Sequence, residues 1–143
     1  MDFTEDLLRQ LKTKKLAQSV CWKPEVDSTN TWAKQAGREA LLRGDDSLDG
    51  ALFAAGCQTG GKGRFGRVWT SPAGENLYMT LLLLRPGVKP ENASQLTLVM
   101  GLAVAQAANE ILEASGCSRR AGIKWPNDVV VSGRKICGIL TEM

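Results

Sequence analysis

"KWPNDVVVSGRKICGILTEM", residues 124–143, holds a β-branched run at 129–131 and a second β-prone run from Lys135 to about Leu140, joined through Ser132-Gly133. Two such runs across a short glycine-containing link predict a hairpin, and therefore antiparallel pairing. Residues 123–125 read as a further short strand. Upstream, 51–55 read as a buried strand and 77–84 as a longer one, with Pro86 and Pro90 marking a loop. Three helices are expected between them. The first covers residues 4 to about 18, with leucines at 7, 8, 11 and 16 among charges and Thr4 as its cap. The second runs from Asp27-Ser28 to Leu42 and closes at Gly44. The third spans 92–115, capped by Asn92 with Gln95 three residues on and ended by Gly116. Its apolar part, 96–108, reads as a core helix too short to cross a bilayer. Together these elements predict an α+β, or mixed α/β, fold: a largely antiparallel sheet with helices packed on it.

A chain of 143 residues that is 43% hydrophobic can bury roughly two-thirds of its unfolded surface as one domain. Its 18 basic and 15 acidic residues leave a net charge of +3, far from the dense basic stripe of a dedicated nucleic-acid binder. Cys21, Cys57, Cys117 and Cys137 form no C-x-x-C pair, so neither a zinc site nor a disulfide scaffold is expected. Reduced thiols, a cytoplasmic location and no membrane partner follow as expectations. Histidine is absent, which excludes a Ser-His-Asp triad, a Cys-His dyad and a histidine metal site within these residues.

The segment "CQTGGKGRFGRVW", residues 57–69, matches two nucleotide-binding patterns and satisfies neither. From Gly56 it follows the phosphate loop until Gly63 replaces the Ser or Thr that holds magnesium. From Gly61 it gives G-x-G-x-x-G, but the residues after it are β-prone and broken by Pro72, where the dinucleotide motif needs a helix. The ribose-binding acid expected about 20 residues on is missing as well, since Glu75 is the one acid between Gly66 and Gly87. What remains is a glycine backbone carrying Lys62, Arg64 and Arg67, with no acid between Ala51 and Gly74. Such a loop suits an anion, because glycine lets amide N–H groups converge while the cations add charge. A solvated surface loop is the plain alternative.

Asn127-Asp128 after Pro126 read first as turn chemistry. Lys135 reads either as a surface lysine on a strand edge or as a buried ammonium that needs an anionic partner.

Taken together, Asp27-Ser28-Thr29-Asn30, Gln58, Gly61-Lys62-Gly63-Arg64-Phe65-Gly66-Arg67-Val68-Trp69, Asn76-Leu77-Tyr78, Lys124-Trp125-Pro126-Asn127-Asp128, Arg134-Lys135 and Gly138-Ile139-Leu140 closely resemble, in order and spacing, the catalytic domain of biotin protein ligases. The resemblance runs from about Val26 onward. It implies the fold shared by biotin and lipoate ligases and related to class II synthetases. It also implies a reaction in which biotin and ATP give biotinyl-5′-adenylate, whose biotin passes to a lysine of a biotin carboxyl carrier protein. By the same carry-over, Ser28, Thr29, Asn30 and Gln58 border the ureido ring, and Lys62, Gly63, Arg64 and Gly138 complete the biotin site. Lys62, Arg64, Arg67, Trp69, Asn127 and Asp128 lie near ATP, with Asp128 a magnesium ligand and Trp69 an adenine wall or a core residue. Lys135, which also binds biotin, and Arg64 are the expected catalytic residues. Lys62 and Phe65 stand where the family often carries arginine.

The resemblance covers a partial catalytic domain, 1–143, with neither the winged helix nor the C-terminal β domain of longer members. No DNA binding is expected, and self-association as a homodimer is. A lipoate-type ligase is the first rival, although that signature includes a His-Asp pair. The second is a non-catalytic biotin-binding remnant.

Overall fold

Six strands are present among the described residues, and they form two three-stranded sheets rather than one. The computed structural model describes residues 3–85 and 87–143, so Pro86 lies outside the described residues. The chain divides into two units. One comprises the residues through Lys62 together with Gly66–Gly87, the other Gly63–Phe65 together with Val88–Met143.

In the first unit, helix α1, Phe3–Gln10, starts one residue before Thr4, which is therefore not its cap. It also stops well short of Gln18. Beyond it the chain leaves the helix and turns at Leu16-Ala17: the Gln18 side chain donates to Thr13 O at 2.7 Å, and Ala17, at φ 55°, donates its N–H to Gly50 O at 2.8 Å. Strand β1, Val20–Lys23, pairs parallel with β2, Leu52–Ala55, and β2 pairs antiparallel with β3, Tyr78–Leu81. The run expected to extend to residue 84 ends as a strand at Leu81; Leu82 still donates to Ala51 O, and Leu84 turns its N–H to the Asp49 carboxylate at 2.7 Å.

Helix α2, Thr29–Leu42, has Ser28 as its N-cap. Past its last turn, Gly44 at φ 65° donates to Leu41 O and Asp45 to Ala40 O. That pair of bonds satisfies the terminal carbonyls in the left-handed glycine ending expected of this helix. Its inner face places Ala33 against Ala51 and Phe53, with Trp32 edge-on to Phe53 at 4.9 Å between ring centroids. A Cβ at Gly37 would meet Leu82 at 3.1 Å, so glycine sets how closely the helix seats on this core.

In the second unit, α3, Ala93–Ala114, follows a single 3-10 turn at Pro90–Asn92. Asn92 is its N-cap residue but makes no side-chain capping bond; its oxygen instead accepts from Gln95 Nε2 at 3.5 Å. The C-terminus closes on Gly116, at φ 72°, with Cys117 N–H bonded to Leu112 O. The helix is less buried than a core helix should be. Gly101 and Ala105 are its buried residues, while Val99 and Leu102 are 66% and 52% exposed. Nor is it too short: the helical run Pro90–Ala114 has 25 residues and is long and apolar enough to cross a membrane by length and composition, a criterion that core helices of soluble proteins also meet.

Strands β4, Ala121–Lys124, β5, Asp128–Val131, and β6, Arg134–Gly138, form an antiparallel meander. The β5–β6 turn is the expected hairpin, with positive φ at both Ser132 (50°) and Gly133 (76°), as the tightest two-residue turns require. Val129 is fully buried and packs with Ala105 and Ala121, bordered by Val131 and Cys137. The Asn109 amide holds the first residue of β4 by both backbone groups, receiving Ala121 N–H at 2.7 Å and donating to its carbonyl at 3.1 Å.

Candidate functional site

The expected site residues fall into two groups, one in each unit. In the first unit they form a buried neutral network at the start of α2. Thr29 donates its N–H to Gln58 Oε1 at 2.9 Å, and its hydroxyl stands 3.2 Å from the same oxygen. Gln58 Nε2 in turn donates to Ser71 Oγ at 3.0 Å, and Ser71 Oγ donates to Trp69 O at 3.3 Å. Thr80 Oγ1 lies 2.8 Å from Thr29 Oγ1 and also reaches Asn30 Oδ1; its single proton serves one acceptor at a time. Ser28, Thr29 and Ser71 are 3%, 4% and 5% exposed. Ser28 Oγ accepts from Thr31 N–H at 3.5 Å, so the capping role holds but the bond is long. Apart from the Asp27 carboxylate, which accepts the Ser28 N–H at 2.6 Å, the side chains of this network are neutral, and donors with acceptors but no formal charge suit a neutral polar head group.

Ser71 and Thr80 were not singled out from sequence. They lie 13 and 51 residues from the partners they serve, and "TSP" or "YMTL" carries no local signal of that pairing.

The glycine loop is less open than its composition suggests. Its base is a narrow antiparallel ladder, with Lys62 bridged to Val68 and Trp69 N–H donating to Gly61 O at 2.9 Å. A Cβ on Gly61 would stand 2.3 Å from Trp69 O and 2.8 Å from Ser71 Oγ, so close backbone approach requires this glycine. Lys62 Nζ donates to Thr31 Oγ1 at 3.0 Å. Arg67 is exposed, and Trp69, at 37% exposure, is not a core residue.

In the second unit a bulge decides which way Lys135 points. Val129 is opposite Cys137 and Val130 opposite Lys135, so β6 carries one extra residue, Ile136, in that interval. In a regular strand Lys135 would share the face of Cys137, two residues away, and point at the apolar cluster under α3. The extra residue reverses that and puts Lys135 on the face of Val130, Asp128 and Gly138. Lys135 Nζ accordingly stands 2.7 Å from Asp128 Oδ1. That oxygen is buried and accepts no hydrogen bond of regular geometry, so the pair is an ion contact rather than a directed bond. With its side chain 36% exposed, Lys135 is both an edge-strand lysine and a partnered ammonium. Gly138, opposite Asp128, is exposed and adds no side chain to that face. The Cys137 thiol is pushed up mainly by burial, partly offset by the Lys135 ammonium, which disfavours the thiolate.

Asn127 does more than turn the chain. Its Nδ2 donates to Ile139 O at 3.1 Å, its carbonyl accepts from Ile139 N–H at 2.9 Å, and its Oδ1 accepts from Arg64 Nη1 at 3.2 Å. Arg64 opens a 3-10 turn, Arg64–Gly66, and Gly63 before it is half-buried. Asp128, the expected magnesium ligand, has one buried oxygen against Lys135, and among the described residues no group of three or more His, Cys, Asp or Glu is gathered around it.

Residues 22–143 match the Biotin/lipoate A/B protein ligase family. Among curated relatives, the Bifunctional ligase/repressor BirA of Bacillus subtilis is 38% identical over 133 residues, covering 93% of this chain and 37% of the relative. The Biotin--[acetyl-CoA-carboxylase] ligase of Paracoccus denitrificans is 40% identical over 117 residues, covering 82% and 44%. Among solved structures, the biotin protein ligase from Aquifex aeolicus in complex with biotin and ATP superposes with a TM-score of 0.67 at 36% identity, covering 88% of this chain and 47% of that one. The Leishmania major enzyme in complex with biotinyl-5-AMP gives 0.65 at 32% identity, covering 85% and 51%. The chain thus spans about half or less of the length of these proteins. With the family match covering nearly the whole sequence, the chain belongs to the biotin/lipoate A/B protein ligase family.

Proposed function

We propose that this chain carries the biotin-activating part of a biotin protein ligase: it joins biotin to ATP as biotinyl-5′-adenylate and hands the biotinyl group to a lysine of a biotin carboxyl carrier protein. The observation that carries this reading is the Lys135 ammonium, turned by the bulge onto the glycine-open face and balanced there by Asp128. A biotin carboxylate oxygen attacks the α-phosphorus of ATP and pyrophosphate leaves. Lys135 neutralises the carboxylate as it approaches a polyanion, and a point cation can follow an oxygen that moves during reaction. Thr29, Asn30 and Gln58, with Ser28 at the head of α2, take the neutral ureido ring. Lys62, Arg64 and Arg67 supply positive charge for the phosphates, with Asn127 holding Arg64. In the second step the carrier lysine's amine attacks the acyl carbon, the acyl–phosphate bond breaks and AMP leaves. Magnesium enters as the counter-ion of ATP. We place the reaction in the cytoplasm, where ATP is available.

Support comes from the biotin, ATP and biotinyl-5-AMP named with the similar structures and from the acetyl-CoA-carboxylase named with the Paracoccus relative. Biotin-dependent exchange of labelled pyrophosphate into ATP tests the reading. Exchange supports it; tight biotin binding without exchange would instead mark a binding remnant, and exchange driven by lipoate a ligase of the other branch.

Within this reading Arg64 retains the intermediate more than it selects biotin. Arg64→Gly should release labelled biotinyl-adenylate about tenfold faster or more, since charge-assisted hydrogen bonds are the strong ones, while biotin affinity changes little. Unchanged release from the variant would remove Arg64 from that role.

A further inference from the structure

Phe65 occupies a position that its chemistry argues against twice. Its backbone sits in the left-handed region, φ 58° and ψ 36°, which L-residues with a Cβ rarely adopt and which the adjoining Gly66, at φ 71°, adopts freely. Its ring is 84% exposed, so core packing does not compensate. What the ring does meet is a cation: the Arg64 guanidinium carbon lies 4.8 Å from the ring centroid. Guanidinium is planar and weakly hydrated, and it stacks on aromatic faces at this range. The same guanidinium is tethered through Nη1 to Asn127 Oδ1 at 3.2 Å. One contact fixes an end of the fork and the other restrains its plane.

We infer that Phe65 is a positioning residue, one that holds the Arg64 guanidinium stacked on its ring and tethered to Asn127 before an anion arrives. Arg64 has five N–H donors and spends one on Asn127. A fork already ordered loses less freedom when a phosphate binds the remaining donors, and that shows as slower release of the bound anion. This inference rests on the function proposed above for its ligand, but not for the contact itself.

Two measurements on the full chain separate the parts. The first is NMR of the Arg64 side chain in the ligand-free protein. Its δ-proton and Nε–H resonances should be shifted by the ring current in wild type and in Phe65→Tyr, and should relax toward ordinary arginine values in Phe65→Leu and Phe65→Gly. The second is the dissociation rate of labelled biotinyl-adenylate. Phe65→Leu should release it about threefold faster, as an exposed cation–π contact implies, with Phe65→Tyr restoring the wild-type rate. Because Phe65 is exposed at a loop tip, all three variants should fold. Arg64 resonances that ignore Phe65→Leu would overturn the inference, as would equal release rates from wild type and Phe65→Leu or equally fast release from the Tyr and Leu variants. Should wild type hold no adenylate at all, the proposed function fails, and the Arg64 resonances alone decide whether the ring positions the guanidinium.

Discussion

Lys135→Ala should lower biotin-dependent pyrophosphate exchange about a hundredfold or more, the scale of losing one preorganised charge-stabilising group in other active sites. The reason lies in β6. The extra residue Ile136 turns the ammonium away from Cys137 and toward Asp128, and no other cation in β4, β5 or β6 is paired with that carboxylate among the described residues. Alanine also leaves a buried Asp128 oxygen without its counter-ion, so some loss of stability should accompany the loss of activity. A second variant separates the two effects. Asp128→Asn combined with Lys135→Ala removes the orphaned charge and should recover the urea midpoint without recovering exchange. Exchange within about threefold of wild type in a folded Lys135→Ala protein would return Lys135 to the status of an ordinary strand-edge lysine.

The hairpin around Ser132-Gly133 and the helix α2 are legible because their signals are local: a β-branched run against a two-residue glycine turn, and a serine cap, Ser28, followed sixteen residues later by Gly44. The order of the polar and basic motifs was legible for the same reason. Other features depend on distant partners. Strand β1 is four residues long, and its pairing with β2 spans thirty-odd positions, so nothing in "VCWK" announces it. The bulge exists only relative to β5. Read alone, "RKICG" alternates as a regular strand and assigns Lys135 to the wrong face. In helix α3 apolar composition does not report burial: Gly101 and Ala105 are buried, while Val99 and Leu102 are exposed. At the glycine loop, composition suggested freedom; at Gly61 the structure uses glycine for contact.

Gly61→Ala tests that last distinction. The added Cβ would lie 2.3 Å from Trp69 O, 2.8 Å from Ser71 Oγ and 3.3 Å from Gln58 Nε2. The first of these atoms is backbone in the ladder that closes the loop, and the other two are the partners of the Gln58–Ser71 hydrogen bond. Relief therefore requires the ladder to open, Ser71 to rotate away, or both, and either movement frees the amide that receives Thr29. Overpacking of this kind costs about 1–3 kcal/mol, and biotin affinity should fall about tenfold or more as the neutral network loses its geometry. Gly66→Ala provides the contrast. No atom lies within 4 Å of a Cβ there, and the objection is the backbone alone, at φ 71°, worth about 1–2 kcal/mol with no reason for biotin affinity to change. Urea denaturation and biotin titration on both variants decide between the two uses of glycine. If Gly61→Ala keeps wild-type affinity while Gly66→Ala loses it, the loop acts through its freedom to move, and the close contact at Gly61 is incidental to binding.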